Sequence, residues 1–194
     1  MSTLRRLSLM AVSVMATMAM SSASIASATT LEIGSTAQNN AVEIGATLQS
    51  GTSMIVKDEV GFTTDTCTTS ELKAKTEGSF TGPRVSGKVG TMTFGGCTHT
   101  TTVDANGTLS VEWISGTNGN VISAGTELTL LSTWWGVTAL CKTGTGTKIG
   151  TITGTKTGHA TIDITATINC GIIGNATWTG TYTATSPTGL GAVN

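Results

Sequence analysis

Ala160-Thr161-Ile162-Asp163-Ile164-Thr165-Ala166-Thr167-Ile168-Asn169-Cys170 is the stretch on which the fold turns. Its even positions hold Ala, Ile, Ile, Ala, Ile and Cys, and its odd positions hold Thr, Asp, Thr, Thr and Asn. A period of two puts one set of side chains against a core and the other in water, which is a half-buried β-strand. Threonine is β-branched and hydroxylated, so it suits the wet face of a pleated sheet.

The same period runs in both directions from this segment. Threonine keeps to odd positions at 151, 153, 177, 179, 181 and 183, while Ile152, Trp178 and Tyr182 take even ones. Upstream, Val42, Ile44, Ala46 and Leu48 alternate with polar residues or glycine. Leu72 and Ala74 alternate with Glu71, Lys73 and Lys75, and Leu109, Val111 and Trp113 alternate with Ser110 and Glu112. No segment sustains a 3.6-residue period. Asn106-Gly107 and Asn118-Gly119 read as hairpin turns, because a two-residue type I′ turn needs positive φ at both central positions. Gly82-Pro83 and Thr157-Gly158 mark further reversals.

This pattern predicts an all-β domain of about a dozen antiparallel strands. The irregular strand spacing favours a two-sheet β-sandwich of jelly-roll type, with a closed β-barrel as the second architecture. Gly144, Gly146, Gly150 and Gly154 occupy inner positions, which predicts bulges or close backbone approach there.

Residues 1–28 read as a signal peptide. Arg5 and Arg6 precede an apolar run from Leu7 to Met20, and Ala26-Ser27-Ala28 fits a small-x-small cleavage site. Cleavage leaves residues 29–194, with 29–187 as a single β domain and 188–194 as a flexible C-terminal tail. Losing the two arginines takes the net charge from −1 to −3. Such a chain has no basic surface to hold a phosphate backbone, so nucleic acid is an unsuitable partner. No later segment is long and apolar enough for a transmembrane helix. The expected location is secreted or cell-envelope.

Four cysteines in an exported chain read as two disulfides. Cys67 and Cys97 lie either side of Gly82, and Cys141 and Cys170 lie either side of the Thr157-Gly158 reversal. Each pair would meet across a hairpin, so the expected bridges are Cys67–Cys97 and Cys141–Cys170. No Cys-x-x-Cys spacing suggests a metal site.

Motifs for chemistry are scarce. The two histidines, His99 and His159, have no local partner pattern for general-base work. Asp58 and Glu59 are adjacent, so an extended backbone points them to opposite faces. Asp104-Ala105-Asn106-Gly107 starts like a calcium loop, but Ser115 stands where the bidentate glutamate belongs. The reading is therefore non-enzymatic, with no cofactor. Trp134-Trp135 is the one candidate binding feature: in a strand one indole faces outward, where it can stack on a sugar or lie against an apolar surface.

The block Cys67 to Leu72, then Gly78-Ser79-Phe80-Thr81-Gly82, then Val89 to Phe94 and Gly95-Gly96-Cys97 resembles small secreted bacterial proteins known as activators of alkane oxidation. The closing run from Trp178 to Pro187 is similar to the last strand of a set of secreted actinobacterial proteins. The resemblance implies a surface- or biofilm-associated protein that helps cells meet a hydrophobic substrate, and it carries over no catalytic residue. The leading expectation is a non-enzymatic protein acting through contact with the cell envelope or a hydrophobic surface. A soluble sugar- or lipid-binding module is the alternative, and a small envelope pore-forming barrel is the third.

Overall fold

The computed structural model describes residues 28–78, 82–105, 107–132 and 137–194. The expected signal peptide lies outside these residues, apart from Ala28, as does the Trp134-Trp135 pair. Fifteen strands run through the described chain: β1 Thr30–Ile33, β2 Thr36–Gln38, β3 Glu43–Leu48, β4 Met54–Asp58, β5 Thr63–Thr76, β6 Val85–Cys97, β7 Thr101–Ala105 and β8 Thr108–Ser115. There follow β9 Asn118–Ala124, β10 Glu127–Ser132, β11 Val137–Lys142, β12 Thr147–Thr153, β13 Thr161–Asn169, β14 Asn175–Ser186 and β15 Leu190–Val193. Among the described residues the one helical element is a 3-10 turn, Gly171–Ile173.

Eight of these strands close into an antiparallel barrel in the order β3-β5-β6-β8-β9-β12-β13-β14, with β14 returning to β3. Closure rests on Tyr182↔Leu48, Thr183↔Thr47 and Ala184↔Ala46. The sandwich expectation is thereby corrected in favour of the second architecture. Alternation of oily and wet side chains serves a sandwich and a barrel equally. What separates them is whether the first and last strands meet, and here residues far apart in sequence hydrogen-bond and leave no open edge in the ring.

One stave of the barrel is broken. β3 and β4 lie end to end between β14 and β5: Leu48 pairs Tyr182 while Ile55 pairs Thr179. On the other side Thr47 pairs Glu71 while Met54 pairs Cys67. We call the end where β3, β6, β9 and β13 begin the upper end. There β1, β2 and β15 form a separate three-stranded sheet. It is tied to the barrel's turns by Ala192 N–H to Thr117 O, Thr155 N–H to Leu190 O and Gly34 N–H to Gly189 O. Leu31, Leu190 and Ala192 are buried beneath it, so the sheet acts as a lid. The tail expected over 188–194 is thus largely strand, since Leu190–Val193 pairs with β1 along its whole length.

At the lower end Lys142 pairs Asn169, which joins β11 to β13, and β10 and β7 continue outward from β11. This extra ribbon corrects one turn reading. Asn106 lies outside the described residues; Gly107 has φ +64°, as turn chemistry requires, but β7 pairs with β10 and not with β8, so these consecutive strands are not hairpin partners. The reversal assigned to Asn118-Gly119 lies two residues earlier, at Gly116-Thr117, because Ser115 faces Asn118. Gly82-Pro83 and Thr157-Gly158 fall between β5 and β6 and between β12 and β13, as the sequence indicates.

The alternation itself is faithful. Ile162, Ile164, Ala166 and Ile168 are buried on β13, and Thr165 and Thr167 lie outside, opposite Thr179 and Thr177 of β14. The bulge expected at Gly150 is present as a register shift between Lys148 and Gly150. A Cβ at Gly150 would collide with the Asp163 carbonyl, so the close approach of β12 and β13 requires glycine.

Candidate functional site

Both disulfides join the residues that the spacing pairs. Cys67 and Cys97 face one another across β5 and β6. Cys141 reaches Cys170 beside the Lys142↔Asn169 pair. All four positions lie at the lower end. There Met54, Val56, Cys67 and Ile168 are at most 1% exposed, and the Phe94 and Trp178 rings meet edge to face at 6.1 Å. This part of the interior is filled.

Above Trp178 the barrel is hollow. A cavity of about 80 Å³ runs through the interior, roofed by Leu31 and Leu190 of the lid and bounded below by Trp178. Its wall is aliphatic nearly throughout, with Ile164 and Met92 typical of it. Ile44, Leu72, Ala74, Leu109 and Val111 also line it; they lie on the inward faces of β3, β5 and β8 yet are only half-buried. Inward-facing side chains with that much accessible surface mark space that the protein's own atoms do not occupy. A water needs roughly 10–15 Å³ by this kind of measure, so the chamber has room for more than one small group. Water gains few hydrogen bonds from such a wall, and an aliphatic chain fits it better.

Polar groups at the chamber are mostly committed to one another. The Tyr182 hydroxyl donates to Ser70 Oγ at 3.1 Å. Burial pushes the Tyr182 phenol up to about 12, against smaller lowering effects from Ser70 and from the nearby Trp178 indole. That indole N–H makes no hydrogen bond of good geometry among the described residues. Thr76 Oγ1 accepts from the Val42 N–H at 2.7 Å. Thr126 Oγ1 lies 2.9 Å from Ser123 Oγ, which is itself 3.0 Å from Thr143 Oγ1. Among the described residues no charged side chain lines the chamber.

The other sequence candidates serve the scaffold. Asp58 Oδ1 accepts from the N–H groups of Val60 and Phe62, which closes the β4–β5 turn. His99 Nδ1 lies 2.7 Å from the Thr64 carbonyl and His159 Nδ1 lies 2.7 Å from the Ala184 carbonyl. A carbonyl only accepts, so each Nδ1 carries the proton. Buried Asp65 accepts from the Thr66 and His99 N–H groups and from the Thr101 hydroxyl, pinning β7 to β5. Its carboxylate is close to Cys67 and Cys97, but their sulfurs are joined to each other and offer no thiolate to a metal.

Sequence reading missed the chamber and the lid. Leu31 and Leu190 sit in short segments without a run of alternation, and an inward Val or Leu looks the same whether it is packed or faces space. Fold and site together define an eight-stranded antiparallel barrel with a closed end and an apolar interior, the size class of barrel that either fills its centre or holds one small ligand. No protein-family model, no curated protein and no solved structure matches the chain.

Proposed function

We propose that this protein is an exported binder of a small, uncharged, mainly aliphatic molecule, held inside the barrel between the lid and Trp178. The observation that carries this reading is the chamber: about 80 Å³ of space walled by aliphatic side chains, above a lower end where Met54, Val56 and Ile168 are fully buried. A well-formed apolar cavity is the default ligand site of a barrel. A charged ligand is disfavoured because the described lining residues offer no counter-charge and the surroundings already disfavour ionising Tyr182. The volume suits a small ligand, for which six-carbon chains serve as probes. Two disulfides are compatible with an oxidising compartment outside the cytoplasm. The resemblance to activators of alkane oxidation points the same way, towards hydrophobic substrates.

Tryptophan emission is the direct test, because Trp178 bounds the chamber. Titration of the disulfide-bonded protein with hexane, hexanol, hexanoate and a maltooligosaccharide should give saturable quenching or shift with the first two. Hexanoate should bind at least tenfold more weakly, and the sugar should do nothing. A response to the sugar alone, or no response to hexane and hexanol, rejects the reading. Val121→Phe, which fills the chamber from β9, should abolish the response.

A further inference from the structure

We propose that the lower end of the barrel inserts Val60, Phe62 and Ile173 into a neutral lipid surface. Val60 is 77% exposed, Phe62 67% and Ile173 38%. A lone exposed apolar side chain is ordinary, but these three occupy two adjoining loop tips. Ala176 pairs Asp58 directly below them, and a Cβ at Gly174 would stand 2.9 Å from the Glu59 carboxylate.

Both tips are built rigidly. In the first, Asp58 Oδ1 accepts from Val60 and Phe62 at 3.1 and 2.8 Å, the Phe62 carbonyl accepts from the Asp58 N–H, and Gly61 takes φ +92°. These bonds hold the valine and phenylalanine outward and prevent them from folding back on the barrel. In the second, Asn169 Oδ1 accepts from the Gly171 N–H, the Gly174 carbonyl accepts from the Cys170 N–H, and the Cys141–Cys170 bridge anchors the base. A preorganised display of this kind loses little entropy when it meets a partner.

The area and charge select the occupant. The three side chains expose roughly 300 Å² between them. A specific protein partner or a second copy needs about 800 Å² per side with matching shape, which two convex tips do not offer. A lipid layer needs neither shape nor a large patch; it accepts protruding apolar groups. Asp58 and Glu59 stand within the tips, with exposed Lys57 and Lys142 at their base, so no basic cluster reaches outward to draw an anionic layer and a zwitterionic one suits. This inference stands apart from the chamber, since none of the three residues lines it.

Co-sedimentation of the disulfide-bonded protein with phosphatidylcholine vesicles tests it. The native protein should bind, and a Val60→Ser/Phe62→Ser double variant should lose at least tenfold in apparent affinity with an unchanged melting temperature. Ile114→Ser removes a 45%-exposed isoleucine on β8, near the opposite end, and should leave binding unchanged. Phosphatidylglycerol vesicles should bind more weakly than phosphatidylcholine. No native binding, equal loss with Ile114→Ser, stronger binding to the anionic vesicles, or tip-dependent dimers in analytical ultracentrifugation would each overturn the proposal. Val121→Phe should bind vesicles like the native protein, which separates this failure from failure of the chamber reading.

Discussion

The two ends of this barrel are made from the same strands and hold opposite interiors. Below Trp178 the inward side chains of β4, β5, β13 and β14 touch one another, and two disulfides clamp the staves. Above it the inward side chains of β3, β5 and β8 face a gap closed by a three-stranded lid. A gap forfeits dispersion contacts and so weakens the fold locally. The contrast teaches that cohesion is concentrated at one end, which frees the other to stay open.

The sharpest way to break that comparison is to remove the clamps. Each disulfide closes a loop of about 30 residues, with separations of 30 and 29, worth on the order of 3.5 kcal/mol in the chain-entropy model. Replacing all four cysteines by alanine should therefore cost about 7 kcal/mol, a large share of the roughly 5–15 kcal/mol that holds a domain together. Urea unfolding of the two single-bridge variants and the double variant measures it. A loss below about 2 kcal/mol for the double variant would place the cohesion elsewhere.

A matched pair of enlargements tests the interiors themselves. Ala166 is fully buried opposite Trp178, so Ala166→Phe should cost about 3 kcal/mol through overpacking. Val121→Phe puts the same ring into the chamber and should cost under about 1 kcal/mol. Equal losses in thermal denaturation would mean that the chamber is as tightly filled as the lower end.

The sequence reveals these regions unequally. The period of two in 160–170 and the cysteine spacing show the inward face of β13 and the two clamps, because both are local or nearly symmetric signals about a turn, but not the β7-β10-β11 ribbon at the same end. Closure depends on β14 meeting β3, a pairing between residues such as Tyr182 and Leu48 that no local window contains. The same limit hides the lid, whose β1 and β15 come from opposite ends of the domain. Asn106-Gly107 misled because turn chemistry specifies a backbone conformation and not which strand comes next to which. The exposed tip at Val60 and Phe62 was in plain view as two apolar residues beside a glycine, but alternation gives a residue inside a turn no reason to point outward.

Alkaline pH offers a finer probe at the boundary between the two interiors. Tyr182 is the only tyrosine in the chain, and burial raises its folded pKa from the ordinary 10.0 to about 12. The unfolded phenol loses its proton first, so the stabilisation is complete below pH 10 and is lost as pH rises from 10 towards 12. Two units correspond to roughly 2–3 kcal/mol, as an order of magnitude. Tyrosinate absorbance should report a late titration in the native protein, and Tyr182→Phe should flatten the alkaline limb of stability. A phenol titrating near its ordinary value would show that water reaches the chamber wall freely.

The smallest expected effect lies in the lid and has the opposite sign. Glu32 of β1 is 7% exposed, and its Oε1 has no hydrogen-bond partner among the described residues. Taking a carboxylate oxygen out of water without replacing its hydrogen bonds is unfavourable, whereas an apolar side chain of similar length loses nothing there. Glu32→Met should therefore raise stability by about 1 kcal/mol, read as a higher melting temperature. If the lid opens to admit ligand, fixing it more firmly should also slow the approach to equilibrium in the hexane titration without weakening the final affinity. A destabilised Glu32→Met protein would mean that the carboxylate has a partner that holds the lid down, and the contrast between a clamped lower end and an upper end with an unmet polar group would fail at that residue.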